Sequence, residues 1–295
     1  MTEVSELVTI IVPVKNEEKN LPGCLENIGG FPHVVMVDSG STDSTRTLFD
    51  AYREAHRMET REWTVLDFVW NGCFPKKRNW TLRNFVFRTP WAMFLDADER
   101  LTPAFLAELG EFLSSPASEA CDVIRCFYDN WFMDRMLKYG DTMQKTALLR
   151  IGAAEYEKIE EDGWSALDME IHEHIVPRRA DAEHVISARL EHHDRRSLES
   201  YYAKHEEYAK WEANRARALV AKYGSIDNAP GLTDRQRLKY RNLSRRWFAP
   251  AYFFASYVLK RGFLDGRAGF IFARAKMRYF ANIREKLREA ERMEL

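Results

Sequence analysis

Two aspartates, Asp96 and Asp98, lie two positions apart just after an apolar run in the segment "WAMFLDADERLTP", residues 91–103. If this segment is an extended strand, the side chains at i and i+2 point to the same face, and the two carboxylates repel each other unless a cation lies between them. Mg²⁺ and Mn²⁺ prefer oxygen ligands and typically share one or two carboxylates with the phosphates of a substrate. The pair therefore predicts a divalent cation that bridges the protein to a phosphate-bearing ligand.

The segments around this pair predict a parallel sheet. "LVTIIVPVKNEEKN" has the pattern of a buried strand followed by a turn, and "HVVMVDSGSTDST" repeats it, with Asp38 at the end of the strand. Each strand leads into a predicted helix, and consecutive strand–helix units imply right-handed crossovers and a mainly parallel sheet. Ligands of such sheets bind beyond the carboxyl ends of the strands. We therefore expect Asp38, Asp96 and Asp98 to converge on one crevice.

The composition of the whole chain is that of a folded protein. Its 295 residues are 45% hydrophobic and 30% charged, which suits one large domain or a domain with an appended subdomain. The four cysteines are scattered without the spacing of a zinc site, which predicts reduced thiols. The first residues carry acids where a signal peptide carries bases, and no apolar segment is long enough to span a bilayer. We expect a cytoplasmic protein.

The charge is distributed unevenly along the chain. Residues 235–295 carry 16 Lys and Arg against 5 Asp and Glu, a net charge of +11, whereas residues 1–234 carry −12. The "NAPG" sequence at residues 228–231 marks a linker, so we predict one domain at residues 1–225 and a basic, aromatic helical extension at 226–295.

The extension interleaves its bases with Trp, Phe and Tyr. This pattern over residues 235–292 suits peripheral attachment to an anionic membrane surface. Packing within the chain or in a homodimer would also explain it. Nucleic acid is the least favoured of the partners that the composition allows.

Five motifs give the chain a resemblance to a known family. In chain order they are "VTIIVPVKNEEKNLPGCL", "VDSGSTDST", "PKKRNWTLRN", "FLDADERLTP" and "IHEHI". The chain thereby resembles glycosyltransferase family 2, and within it the transferases of bacterial lipopolysaccharide core and other surface glycans. The resemblance implies an α/β protein with a GT-A fold, in which helices flank a mainly parallel, Rossmann-like sheet and a helical C-terminal extension follows.

The same resemblance implies an activity. It is the inverting transfer of a single sugar from a nucleotide sugar, with UDP as the nucleotide, to a glycan or lipid-linked acceptor. Mn²⁺ or Mg²⁺ would be the cofactor, and the enzyme would work at the inner face of the cytoplasmic membrane. Two other classes stay open, a catalytically idle GT-A scaffold subunit and a nucleotidyltransferase. The latter usually has a glycine-rich basic loop after its first strand, where this chain has "PVKNEEKN".

Site residues follow from the resemblance position by position. The residues implied for the nucleotide sugar are Pro13, Val14, Glu17, Asp38, Arg78 and Asp96. Of these, Asp38 would contact the base or ribose, Arg78 the pyrimidine or diphosphate, and Asp96 the ribose or donor sugar.

Other motifs contain the residues implied for metal binding and for the catalytic base. Asp98 would ligate the metal ion, with His172 reaching the metal or the diphosphate. Glu173 would be the catalytic base, and Glu170 is the alternative, because inverting transfer needs a carboxylate that takes the proton of the acceptor hydroxyl. Further candidates from the residues themselves are His192 and His193 for the metal or diphosphate, and Trp131 and Trp164 for acceptor stacking or for the core.

The chain departs from the family pattern in three places. Ser39 follows Asp38 where a second aspartate is common, and Ala147 stands where this branch often has arginine. The sequence "LSRRW", residues 243–247, lacks the glutamine of the Gln-x-x-Arg-Trp motif of processive polysaccharide synthases. This last difference favours transfer of a single sugar over polymerisation.

Overall fold

The structure is a computed structural model that describes residues 2–57, 59, 61–140, 143–159, 161, 164–165, 167–168, 174–179, 181–193 and 198–293. The chain forms two compact units, Met1–Trp131 with Thr142–Arg195, and Phe132–Asp141 with Arg196–Leu295. The long helix before the "NAPG" linker belongs to the second unit. The boundary between the domain at residues 1–225 and the extension at 226–295 stays a prediction.

The described elements are named in chain order. The strands are β1 (Val8–Val14), β2 (His33–Asp38), β3 (Glu62–Asp67), β4 (Trp91–Phe94), β5 (Glu99–Arg100), β6 (Val123–Phe132), β7 (Arg135–Leu137), β8 (Met143–Arg150), β9 (Ala154–Tyr156), β10 (Ile175–Pro177) and β11 (Glu183–His193). The α-helices are α1 (Thr2–Leu7), α2 (Leu21–Ile28), α3 (Thr45–Ala55), α4 (Lys77–Asn84), α5 (Pro103–Leu113), α6 (Leu198–Tyr223), α7 (Asp234–Asn242), α8 (Phe248–Phe254) and α9 (Gly266–Met293).

The first unit is built on one mixed sheet. Its strands run in the order β3-β2-β1-β4-β8-β6-β11-β5. The four strands β3, β2, β1 and β4 are parallel to one another, as the strand–helix repeats predict. Strand β8 is antiparallel to both β4 and β6, β11 is parallel to β6, and β5 is antiparallel to β11. The four parallel strands form one side of the sheet, and β8, β6, β11 and β5 extend it beyond β4.

Strand β1 is central because both of its faces are apolar. Alternate residues of a strand point to opposite faces. Val8, Ile10 and Val12 pack in one core with α2 and α5, and Ile11 packs in a second core with β4 and α4. All of these side chains are buried. A near-continuous apolar run is what a parallel strand covered on both faces requires.

The second unit is helical. Its core joins α6 to α9 through small and large residues at helical spacing, with Ala209 and Ala213 on α6 and Phe280 and Ile283 on α9. Helix α6 ends at Gly224, whose φ of 75° is the left-handed conformation that glycine adopts readily. Among the described residues, no helix is long and apolar enough to cross a membrane.

Candidate functional site

The carboxyl ends of three parallel strands meet at one edge of the first unit. Val14 at the end of β1 pairs in register with Asp38 at the end of β2. The carbonyl oxygen of Val14 accepts hydrogen bonds from Ser39 N and from Lys77 Nζ, both at 3.2 Å. Pro13, just before Val14, is buried within β1. The edge therefore joins β1, β2 and the first turn of α4 in one small region.

Asp38 organises the loop that follows β2. Its Oδ1 accepts hydrogen bonds from the backbone N of Ser41 at 2.9 Å and from the Ser41 hydroxyl at 2.7 Å. The Ser41 hydroxyl also accepts a hydrogen bond from Asn16 N at 3.0 Å, and Asn16 Oδ1 accepts one from Thr42 N at 2.8 Å. The loops after β1 and β2 are thus tied together around a carboxylate that is 5% exposed.

Glu17 lies on the loop between β1 and α2. Its backbone N donates to Thr45 Oγ1 at 2.8 Å, and its Oε2 accepts from Asn20 Nδ2 at 2.8 Å. Asn20 is the N-cap residue of α2, but its side-chain amide donates to Glu17 and makes no capping hydrogen bond to the helix. The contact orients the Glu17 carboxylate at the start of the helix.

The aspartate pair lies in a turn, so the extended geometry considered from the sequence is wrong. Strand β4 ends at Phe94, and Glu99 N donates to the carbonyl of Asp96 at 2.9 Å, which closes a turn between β4 and β5. The Asp96 side chain is 36% exposed, whereas that of Asp98 is 8% exposed. The turn lets each carboxylate meet a different environment.

Asp96 meets the guanidinium group of Arg78. Arg78 Nη2 donates to Asp96 Oδ1 at 2.9 Å. The guanidinium carbon of Arg78 lies 5.4 Å from the centre of the Tyr156 ring and 5.8 Å from that of Phe94. Arginine stacks on aromatic faces and keeps its planar donors oriented there. Helix α4 thus brings a fixed cation to the end of β4.

Asp98 meets His192 of β11. His192 Nε2 lies 3.5 Å from Asp98 Oδ2, and His192 Nδ1 lies 3.0 Å from the side-chain Oδ1 of Asn130. With the Asn130 oxygen toward Nδ1, the neutral tautomer that forms this hydrogen bond carries its proton on Nδ1 and leaves the Nε2 lone pair toward Asp98. The neighbouring His193 donates its backbone N to the carbonyl of Asp98 at 2.6 Å.

The ring of His193 does not face Asp98 but contacts Trp131 and Glu191. It stacks on Trp131, with ring centres 5.1 Å apart, and its Nε2 lies 2.8 Å from Glu191 Oε2. Of the two histidines suggested by the sequence, His192 is therefore the one whose imidazole faces Asp98. Trp131, which the sequence suggested for acceptor stacking or for the core, stacks on His193.

A buried ion pair supports the turn. Glu99 is 2% exposed, and its Oε2 accepts from Lys145 Nζ on β8 and from Asp96 N, the latter at 3.0 Å. Lys145 Nζ also donates to the carbonyl of Phe94 at 3.2 Å. Burial lowers the pKa of Lys145, but the carboxylates of Glu99 and Asp96 raise it by more, so its pKa lies above the usual range. Lys145 is therefore charged at neutral pH.

Two buried lysines tie α4 to the segment after β9. Lys76 is 4% exposed and forms an ion pair with Glu161. Lys77 Nζ lies 3.5 Å from Asp168 Oδ2, and Lys77 N donates to the carbonyl of Asp168 at 2.9 Å. Burial lowers the pKa of Lys77, and Asp168 offsets this effect in part. These contacts anchor the chain shortly before the predicted base, Glu173.

Three predicted residues, Glu170, His172 and Glu173, lie outside the described residues. Within the described part of the chain, no group of three His, Cys, Asp or Glu side chains is arranged to hold a metal ion. Among the described side chains of the turn, the carboxylates of Asp96 and Asp98 are oxygen ligands of the kind that a hard divalent cation prefers, and the imidazole of His192 faces Asp98. Such cations often take few protein ligands and complete their shell with substrate phosphates and water.

The sequence analysis missed several residues that shape the site. They are Glu99, Asn130 and Lys145, together with Lys76 and Lys77. Lys145 offered a usable signal, because it stands two positions before the buried run 147–149 of β8, where a lysine side chain needs a carboxylate partner. Asn130 offered none, since its partner His192 is 62 positions away in the chain.

Comparison with known proteins adds a family and several relatives. Residues 9–176 match the family model described as glycosyl transferase family 2. The lipopolysaccharide core biosynthesis glycosyltransferase LpsC of Rhizobium meliloti (strain 1021) is 30% identical over 173 residues, which are 55% of this chain and 54% of LpsC. A teichoic acid poly(glycerol phosphate) polymerase of Staphylococcus epidermidis is 35% identical over 98 residues, 32% of this chain and 13% of the polymerase. The matches thus span about half of LpsC and a small part of the polymerase.

Solved structures of similar proteins include S. aureus TarS 1-349, which is 17% identical and has a TM-score of 0.43. That comparison covers 96% of this chain and 92% of the TarS chain. The mannosyltransferase PcManGT from Pyrobaculum calidifontis, solved with GDP-Man and Mn²⁺, is also 17% identical, with a TM-score of 0.49. That comparison covers 95% of this chain and 86% of the PcManGT chain.

Proposed function

Because the chain belongs to glycosyl transferase family 2, we propose that it is an inverting, metal-dependent transferase that moves one sugar from a UDP-sugar to a glycan or lipid-linked acceptor. The acceptor would be an intermediate of bacterial lipopolysaccharide or another surface polysaccharide. The names of the relatives LpsC and the teichoic acid polymerase support this class of acceptor. The family and the GT-A fold class predicted from the sequence are confirmed, and the chain carries a glycosyltransferase domain.

The observation that carries the proposal is the turn at the end of β4. It presents Asp96 to Arg78 and Asp98 to His192, and the buried Glu99–Lys145 pair supports it. A diphosphate placed here would meet the guanidinium group of Arg78, which binds phosphate oxygens through two parallel hydrogen bonds. Asp38, at the end of β2 on the other side of β1, is the residue we propose for the nucleoside half of the same ligand.

The Asp98 carboxylate is the kind of oxygen ligand that Mn²⁺ and Mg²⁺ take, and phosphates and water would complete the shell of such a cation. Asp98 supplies a hard oxygen ligand, and His192 presents an imidazole nitrogen whose tautomer Asn130 fixes. When bound, such a cation offsets the charge of the leaving diphosphate. His172 stays a predicted ligand of the metal or the diphosphate.

The reaction forms one bond and breaks one. The acceptor hydroxyl oxygen bonds to the anomeric carbon of the sugar, while the bond from that carbon to the β-phosphate oxygen breaks on the opposite face. Glu173, the proposed base, takes the hydroxyl proton, and UDP leaves. The anchors Lys76 and Lys77 hold the chain before Glu173 against α4.

We also propose that transfer takes place at the cytoplasmic face of the membrane. A lipid-linked acceptor lies in that surface, and the basic, aromatic second unit supplies the matching charge. The alternative is that the second unit forms the interface of a homodimer.

Calorimetric binding of UDP, GDP, CDP and their sugars, each with Mn²⁺ and with EDTA, tests the donor site. We expect UDP ligands to bind in Mn²⁺ and to weaken in EDTA, and Asp98→Asn to remove the metal-dependent part. Metal-independent binding, or equal binding by Asp98→Asn, would refute the metal site. Absence of binding by every nucleotide would favour an idle scaffold subunit.

A further inference from the structure

One stretch of the second unit exposes large apolar side chains to solvent. Six of them, each at least 40% exposed, are Phe254, Val258, Leu259, Phe263, Leu264 and Phe270. They run from the end of α8 through a π-helical turn, Ala255–Leu259, into the start of α9. We call residues 254–270 the apolar turn. Leu259 at its tip is 68% exposed, which is costly in water for a side chain of this kind.

Several aromatic rings in and beside the apolar turn lie against one another. Phe263 lies against Tyr257, with ring centres 6.3 Å apart, and Phe270 lies 5.6 Å from Tyr257. Phe253 in turn contacts Phe270 at 6.1 Å. These edge-to-face contacts join the end of α8 to the start of α9. Contiguous apolar surface of this kind marks an interaction site, whereas single exposed apolar residues are ordinary.

The apolar turn is held in place by close backbone packing. A Cβ atom on Gly269 would lie 2.1 Å from the carbonyl oxygen of Gly262, and one on Gly262 would lie 2.8 Å from the carbonyl oxygen of Ser256. The Asp265 carboxylate accepts hydrogen bonds from Lys138 N at 3.1 Å and Tyr139 N at 3.0 Å. The exposed side chains therefore stand on an ordered, packed backbone.

Along the chain, the charged residues on either side of the apolar turn are almost all basic. Residues 243–284 contain nine Lys and Arg and a single acid, Asp265, which is 2% exposed. Lys260 is exposed at the tip, and Arg267 and Arg274 are exposed at helical spacing on either side of Phe270. Apolar side chains flanked by bases, without an exposed carboxylate in the stretch, are the features of a segment that binds an anionic membrane interface.

We propose that the apolar turn inserts into the headgroup region of an anionic bilayer, with Lys260, Arg267 and Arg274 on the lipid phosphates. This inference deepens the membrane association of the proposed function and rests on it for its role, which is to bring a lipid-linked acceptor to the enzyme. A second copy of the chain is a poorer occupant, because a two-fold interface would place this basic surface against itself.

Co-sedimentation of the full chain with vesicles tests the proposal. Vesicles of phosphatidylcholine are compared with vesicles that also contain phosphatidylglycerol, and we expect binding to the anionic vesicles only. Leu259→Ser with Phe263→Ser should lower the partition coefficient roughly tenfold or more by removing apolar insertion. Lys260→Gln with Arg267→Gln should lower it by about tenfold, and added salt should do the same. Leu238→Ser is the matched control, since Leu238 is 61% exposed on α7 outside the apolar turn.

The outcomes separate this proposal from the donor site. UDP binding by calorimetry on the same samples should be unchanged in every variant. Vesicle binding by Leu259→Ser/Phe263→Ser equal to the wild type, or equal binding to neutral vesicles, would overturn the proposal. The proposal would also be overturned if the wild type binds neither kind of vesicle and is a dimer in solution, while Leu259→Ser/Phe263→Ser is a monomer. A wild type that binds UDP but neither kind of vesicle refutes only the membrane site, and a wild type that binds anionic vesicles but no UDP refutes only the donor site.

Discussion

Lys145 on β8 and Glu99 on β5 form a buried ion pair, and one oxygen of Glu99 also accepts the backbone N–H of Asp96 at 3.0 Å. Lys145 reaches the carbonyl of Phe94 at the end of β4 as well, at 3.2 Å. One ion pair therefore fixes both the end of the strand and the turn that carries Asp96 and Asp98. The position of the two aspartates depends on a strand that lies some fifty residues further along the chain.

Lys145→Met should destabilise the protein strongly. Glu99 would remain buried without its cation, and removal of one partner of a buried pair typically costs about 3–5 kcal/mol in the free energy of unfolding. Glu99→Gln/Lys145→Met should regain much of that loss, because neither charge is then left uncompensated. Urea unfolding of the four proteins of this cycle measures the effect. Lys19→Met, at an exposed lysine, is the control, and an equal loss there would contradict the argument.

The sequence could predict the parallel half of the fold because its signals are local. An apolar run followed by a polar loop predicts the strands β1 and β2, and parallel strands necessarily place Val14 and Asp38 at one edge. The family model matches residues 9–176, which take in β2, β3, β4 and nearly all of β1. Strand–helix periodicity was therefore sufficient for the parallel half of the sheet and for the meeting of Val14 and Asp38 at its edge.

The finer geometry of the site could not be predicted in this way. Whether Asp96 and Asp98 lie on a strand or in a turn depends on Glu99, whose side chain closes the turn only because Lys145 lies opposite it. The choice between His192 and His193 depends on Asn130, a partner on a different strand. Long-range contacts of this kind have no periodicity in the sequence, so local patterns do not reveal them.

Arg78→Met should weaken donor binding and leave the fold intact. The guanidinium group contacts Asp96 and lies over Tyr156, but it is not part of the buried core of the sheet. Loss of hydrogen bonds to a charged ligand group typically costs about 1.5–3 kcal/mol, so the Kd for the UDP-sugar should rise roughly 10- to 100-fold. Calorimetry measures this change. Arg83→Met is the matched control on the same helix, since Arg83 pairs with Glu155 at the surface; a similar weakening in both variants would argue against a specific role for Arg78.

Asn130→Leu should reduce affinity for Mn²⁺ in the presence of UDP. The Oδ1 of Asn130 holds His192 in the tautomer that points its lone pair toward Asp98. Loss of such a supporting hydrogen bond typically costs 10- to 100-fold in metal affinity, that is, about 1.4–2.7 kcal/mol. Mn²⁺ titration followed by electron paramagnetic resonance measures it. Asn242→Leu in the second unit is the control, and unchanged Mn²⁺ affinity in Asn130→Leu would show that His192 does not ligate the metal.

Glu173→Gln should abolish transfer without loss of the donor. A glutamine keeps the size of the side chain but cannot take the proton of the acceptor hydroxyl, and loss of a general base typically lowers kcat by about 10²- to 10⁴-fold. Calorimetric affinity for the UDP-sugar should stay within about twofold of the wild type, because the predicted donor contacts come from other residues. Glu170→Gln is the matched control from the same motif. A large fall in kcat for Glu170→Gln with full activity in Glu173→Gln would transfer the role of base to Glu170.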